Sequence, residues 1–275
     1  MPTRQAPSGI SFRRHIAPFA PVALALAINT AERSGVPGIA AHGLHTFMPS
    51  CTLPFPGVRN PPLDDHCGIG GGSSDPTNQA ESTSKNNFCA ATQPPRVITY
   101  EDLLSLQSQS VNIPKKLPDR TILQTLGEGE YVSYIAFIKE AHYSDVGKGE
   151  AVNCNIPGNA TNDIHIVLMR DANDNEECHS TTAEMSPHYR PPDWTPENLL
   201  SVSKGHPVRI QGQLFFDGSH APCSGTSRPK PNRASLWEIH PVYSVEVCTQ
   251  TTIAECQGAS ADWTPLSQLL SSEQQ

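Results

Sequence analysis

The sequence predicts a mainly β fold: a five-stranded OB-like Greek-key barrel with a short helix between strands three and four, preceded by an irregular Cys-bearing arm. Three observations carry that prediction. Segments of β type come in the order three strands, short helix, two strands, all within residues 126–250. The central helix has a sharp start signature. The strand segments alternate apolar and polar side chains, as strands with one face on a core do. A small β-sandwich is the rival, but it typically shows about seven strands and no helix at that place.

The first β segment is the long run Tyr131 to His142, and a polar loop with Gly147, Gly149, Pro157 and Gly158 follows. Asp163 to Arg170 alternates, with Ile164, Ile166 and Leu168 on one face and Asp163, His165 and Val167 on the other. After a turn, Cys178 to Ser186 is a Thr-rich strand, and Pro187 to Asp193 a loop. Thr195 then caps a helix with Pro196 at its first position and Glu197 in its first turn. Leu199, Leu200 and Val202 form its apolar stripe, and Gly205 ends it. Pro207 to Asp217 puts Val208, Ile210, Leu214 and Phe216 on one face, and Leu236 to Cys248 is the last long strand. In the tail, residues 251–275, Asp262-Trp263-Thr264-Pro265 repeats the helix-start signature of Asp193-Trp194-Thr195-Pro196.

Before the barrel, residues 96–125 hold a short helix capped by Thr99, with Glu101 and Asp102 in its first turn and Leu103, Leu104 and Leu106 as its stripe. Residues 32–95 read as an irregular Pro/Gly-rich arm without apolar periodicity. Residues 1–31 run from basic (Arg4, Arg13, Arg14) to apolar (Val22 to Ala27) to small (Asn29-Thr30-Ala31). That is the order of a secretory signal peptide, and a disordered leader is the other reading. Cys51, Cys67, Cys89, Cys154, Cys178, Cys223, Cys248 and Cys256 form no Cys-x-x-Cys pair. Dispersed disulfides in an extracytoplasmic or secreted protein fit this pattern better than a zinc ribbon, with buried free thiols as the alternative.

Composition removes some function classes. No apolar run approaches ~18 residues, so no transmembrane span is expected in the mature chain. Residues 120–250 carry 10 Lys+Arg against 16 Asp+Glu, a net of −6, which disfavours nonspecific coating of nucleic acid. Arg228, Lys230 and Arg233 before the last strand make either a small anion-binding lip or a solvated loop. Gly68-Ile69-Gly70-Gly71-Gly72 lacks the Lys and the strand–helix setting of a phosphate cradle, and no Gly-x-Ser-x-Gly elbow surrounds Ser219.

Acid and imidazole groups recur in close pairs: Asp163 with His165, Glu184 with His188, Asp217 with His220, and Glu238 with His240. Residues two apart on a strand project to one face with Cα atoms about 6.5 Å apart. If the strands are neighbours the pairs converge, and such a cluster suits a divalent metal such as Zn or general acid–base chemistry. His165, His220, His240, Asp217 and Glu238 are the expected ligands. The competing reading is a hydrogen-bonded network that fixes strand edges, with Asp217 capping the turn at Gly218 and Ser219. Asp163, His165, Asp217, Glu238 and His240 should all lie on the side away from the core, covered by the Pro187–Asp193 loop. His240 precedes Pro241 and marks a bulge.

Asn162 to Leu168, Gly212 to His220 and Trp237 to Val242 resemble segments of a family of uncharacterised, mostly exported bacterial proteins. In that family D-x-H-x-V-L, G-x-x-F-F-D-x-x-H and E-x-H-P-V motifs recur together. The resemblance covers roughly residues 125–250 and implies an OB-like barrel without assigning an activity or a catalytic residue. The paired-arginine and carboxylate pattern of the staphylococcal-nuclease proteins, which share the barrel type, is not recognisable. The expected function is therefore an exported binding module for an extracellular partner, a glycan or a protein. The alternative is a metal-assisted hydrolase, a phosphodiesterase above all.

Overall fold

In the computed structural model the described residues are 67–87, 94–188 and 190–272, all within the unit Ile39–Gln275. The expected leader, Cys51 and Cys89 lie outside them. The chain runs α1 (Pro76–Lys85), β1 (Arg96–Ile98), α2 (Tyr100–Gln109), α3 (Thr121–Gln124), β2 (Tyr131–Tyr143), β3 (Ile164–Met169) and β4 (Thr181–Met185). It continues α4 (Pro196–Val202), β5 (Val208–Phe216), β6 (Trp237–Cys248), α5 (Ile253–Cys256), β7 (Trp263–Pro265) and α6 (Leu266–Ser272).

Five strands close a barrel in the order β2-β3-β4-β6-β5, with β5 returning to β2. All neighbours are antiparallel except β4 and β6, which run parallel. Closure depends on the length of β2. Residues 131–136 pair with β5 and 137–143 with β3, and a register shift at Lys139 bends the strand between its two partners. The expected helix, α4, stands between the third and fourth barrel strands. Thr195 Oγ1 accepts from Asn198 N at 3.2 Å, Leu199 is buried, and Leu200 is 37 % exposed rather than part of the buried stripe. Two strands lie outside the barrel: β1 pairs with β2, and β7, formed by the second Trp-Thr-Pro, pairs with β6.

The alternation places the core as expected. Ile164, Ile166, Leu168, Val208, Ile210, Leu214, Phe216, Trp237 and Ile239 are all in the buried apolar cluster. At Gly212 a side chain has no room, because its Cβ would lie 2.4 Å from the Pro241 carbonyl oxygen. There the β5–β6 register shifts, and Gln213 alone faces His240 and Pro241, donating from Nε2 to the His240 carbonyl at 2.9 Å. This is the bulge that the Pro marks.

The arm corrects the sequence reading, since it carries a helix. Asp75 Oδ1 accepts from Thr77 N at 2.9 Å and Asn78 N at 3.0 Å, and Pro76 sits at the first helical position, so α1 starts on the same signature as α4. A disulfide Cys67–Cys154 ties the arm to the segment after β2. Gly72 N donates to Ala151 O at 2.7 Å, and Gly71, at φ +70°, sits where a Cβ would be 2.3 Å from that oxygen. The glycine run is a packing surface. Cys178–Cys223 and Cys248–Cys256 are also bonded. No helix among the described residues is long and apolar enough to cross a membrane.

Candidate metal centre

The side chains that alternate with the barrel core do not face solvent. Asp163, Glu238 and His240 are fully buried and Glu184 and His165 nearly so. Neighbouring strands bring them together: His165 on β3 faces Glu184 on β4, and β4 lies beside β6, which carries Glu238 and His240. One ligand atom each from Asp163, Glu184 and His240 lies within 4.8 Å of the other two.

His240 sits in the middle. Its Nδ1 is 2.8 Å from Glu184 Oε2 and 3.5 Å from Glu238 Oε1, and its Nε2 is 3.4 Å from Asp163 Oδ2. None of these atoms has a hydrogen bond of good geometry. The 2.8 Å approach of Glu184 to His240 is a close charge contact. The remaining oxygens are anchored. Asn153 Nδ2 donates to Asp163 Oδ1 at 2.9 Å, and Asp163 N donates to Glu150 Oε2 at 2.8 Å. Arg233 Nη1 donates to both Asp217 Oδ2 and Glu238 Oε2 at 2.9 Å. Asp217 Oδ1 takes the Ser219 N–H at 2.9 Å, as its turn-capping role requires, and His220 Nδ1 donates to the same Oδ2 that Arg233 holds.

The cover comes from α1. Lys85 Nζ reaches to 3.7 Å from Glu184 Oε2, and Glu81 accepts from Ser219 Oγ at 3.1 Å. Burial would lower the Lys85 pKa, but Glu184, Asp217 and Glu238 outweigh it and hold it well above normal. Burial and Lys85 likewise oppose a charged His240, and Glu184 with Glu238 overcomes them, raising its pKa to about 10. The carboxyls crowd one another. Burial, then Asp163 and Glu184, push Glu150 up to about 8. Burial, then Glu184 and Asp217, raise Glu238. Glu81, Glu150, Asp163, Glu184, Asp217 and Glu238 stand against two permanent cations, Lys85 and Arg233. The four carboxyls in excess are balanced by protons on those whose pKa burial raises, Glu150 among them, by the histidines or by a bound cation.

All four acid/His pairs can now be placed. Asp163, His165, Glu184, Asp217, His220, Glu238 and His240 belong to one connected network. His188 is buried beyond the end of β4, with its backbone N–H on Ser186 Oγ at 3.3 Å. Of the expected metal ligands, His240 is in the converging triad. Asp217 is held by Arg233 and His220, and the Nε2 of His165 accepts from Arg233 Nη2 at 3.3 Å. Asp163 and Glu184 complete the triad from the wider cluster. The basic lip divides: Arg233 is fully buried in the network, whereas Arg228 and Lys230 stay exposed. Lys85, Glu81, Glu150 and Asn153 escaped the sequence reading. The Asp75-Pro76 start signature was the one available pointer to the helix that delivers Lys85.

Two hollows flank the centre. A cleft of about 380 Å³ above it is lined by Glu81, Lys85, Lys148, Glu150, Ser219 and His220, among others. A groove of about 270 Å³ lies on its other side, along the outer face of β2 and β3 with His165 in its wall. In comparison with known proteins, no family model, curated protein or solved structure matches the chain.

Proposed function

We propose that this protein is an exported OB-barrel binding module whose outer strand face is organised by a divalent cation held by Asp163, Glu184 and His240. The observation that carries this reading is the convergence, within 4.8 Å of one another, of buried ligand atoms from Glu184 on β4, His240 on β6 and Asp163 just before β3. Crowded buried carboxylates are costly, and a cation would neutralise two of them and engage the imidazole at once. Two carboxylates and an imidazole suit Zn or Mn. The ligands are sealed under α1, so the ion acts by fixing the strands. Three disulfides support the exported setting.

A second reading, a metal-assisted hydrolase acting on phosphodiesters, is favoured by the cleft over the centre, where Lys85, Lys148 and His220 could face a phosphate. Metal analysis of protein purified without chelator tests the first reading. About one equivalent of Zn or Mn is expected, lost in Asp163→Asn/Glu184→Gln. At a free metal concentration near 100 times Kd the ion adds about 2.7 kcal/mol of stability. No bound metal, together with an unchanged melting temperature on metal addition, overturns it. Turnover of bis(p-nitrophenyl) phosphate by the metal-loaded protein, abolished in the same variant, establishes the hydrolase instead.

A further inference from the structure

One oxygen of the candidate centre is already claimed by a cation of the chain itself. Glu184 Oε2 lies 2.8 Å from His240 Nδ1, and the Lys85 ammonium approaches that same oxygen, at 3.7 Å. A Zn or Mn ion on that oxygen would stand about 2.0–2.2 Å from it, which puts the ion at most about 6 Å from Lys85 Nζ. Two cations at that separation in a buried site repel strongly, because little water is present to screen them. The ion and the ammonium therefore compete for Glu184.

The geometry decides which part of the protein can give way. The backbone on either side of Lys85 is pinned. Gln213 Nε2 donates to Ser84 O at 2.8 Å, and Asn86 Nδ2 donates to Ile69 O at 3.0 Å and to Val152 O at 3.3 Å. The ammonium is not pinned. Its 3.7 Å contact with Glu184 is a charge pairing too long for a hydrogen bond, and Lys85 also lines the cleft above the centre. A receiver stands one helical turn back. Glu81 and Lys85 are four apart on α1, so their side chains share a face, in the Glu-before-Lys order that favours the pair. Glu81 lines the same cleft. Its Oε1 accepts from Ser219 Oγ at 3.1 Å, and its Oε2 has no hydrogen bond among the described residues. Burial raises the Glu81 pKa, and Lys85 is the charge that most opposes it, so the two groups already sense each other.

We infer that Lys85 is a tethered competitor for the cation: without metal its ammonium neutralises Glu184, and metal entry drives it across to Glu81 in the cleft while α1 stays seated. This rests on the cation reading and adds its regulation. Loading must first break an ion pair, which sets a threshold for the metal. A positive charge moves to the cleft only when the centre is filled.

Amine labelling of the full chain with acetic anhydride, followed by peptide mass mapping, tests the movement and needs no variant. Lys85 should label several-fold faster with Zn or Mn bound than without it, while Lys139 and Lys230, on the groove at the other side of the centre, keep their rates. Metal titration tests the competition. Lys85→Met should bind the ion about ten- to a hundredfold more tightly, the scale of one charge-assisted contact that no longer has to be broken. Glu81→Gln should bind it more weakly, and that effect should vanish in a Lys85→Met background, because Glu81 acts only through the lysine. Metal binding with the Lys85 labelling rate unchanged, or with equal affinity in the natural protein and Lys85→Met, overturns the inference and leaves the cation reading intact. A Glu81→Gln effect that persists without Lys85 overturns the receiver. No bound metal in either the natural protein or Lys85→Met ends the cation reading itself.

Discussion

The two faces of the same strands make the instructive comparison in this barrel. On β6, Trp237 and Ile239 point into an apolar interior, while Glu238 and His240, alternating with them, point into a layer of charge; all four are fully buried. The interior is held by contact area, with Trp237 edge-on to Phe216 at 5.4 Å. The outer layer is held by matching charges, with Arg233 between Asp217 and Glu238. Burial alone therefore does not say which physics holds a residue in place. The inner face tolerates no lost volume, and the outer face no lost partner.

The sharpest way to break that comparison is one substitution on each face. Trp237→Ala should cost about 3–5 kcal/mol through the cavity it opens. Arg233→Met should cost a similar ~3–5 kcal/mol, because two carboxylates are stranded without their cation. Urea titration at several pH values separates the two. The Trp237→Ala deficit should stay level with pH, whereas the Arg233→Met deficit should shrink in acid as the carboxyls protonate. Adding Asp217→Asn and Glu238→Gln to Arg233→Met should restore much of the loss. Equal pH behaviour of the two single variants would remove the distinction.

A smaller effect concerns His165. Burial lowers its pKa from the ordinary 6.5 to about 4. A group whose folded pKa is depressed contributes stability that is complete above pH ~6.5 and is lost as the pH falls towards 4. The full loss is about 3 kcal/mol. His165→Gln should flatten the stability curve in that window and leave the slope below it to Asp217, whose pKa is held low against its burial by His220, Lys85 and Arg233. The smallest effect is at the lid. Asp75→Ala removes the cap of α1 and should cost ~1 kcal/mol. Hydrogen exchange should rise in α1 while the barrel strands stay protected.

Much of this was legible in the sequence. Period-two alternation gives the strands and their inward faces, and Thr195-Pro196-Glu197 places α4 where the barrel needs it. The same parity puts Asp163, His165, Glu238 and His240 on one side. Strand order could not be read, and it alone decides that these residues meet. Residues 76–85 hid a helix because its buried face is polar: Glu81 and Ser82 are the buried positions, and no apolar stripe marks them. Arg233 read as part of a basic loop because its partners lie apart in the chain, Asp217 just past the end of β5 and Glu238 on β6. Charge that is satisfied in three dimensions leaves no local trace in the chain.

The placement of Lys85 also imposes an order in time. During synthesis α1 emerges well before the surface it covers, since Glu184, Glu238 and His240 follow it by about 100–155 residues. At ~5–20 residues per second, α1 waits on the order of 10–30 s for the last of them. Cys154 arrives in the meantime, so the tether through Cys67 has a partner before Lys85 does. The segment of the first described helix is thus synthesised early, can be tethered halfway through, and seats its ammonium only after the final barrel strand exists.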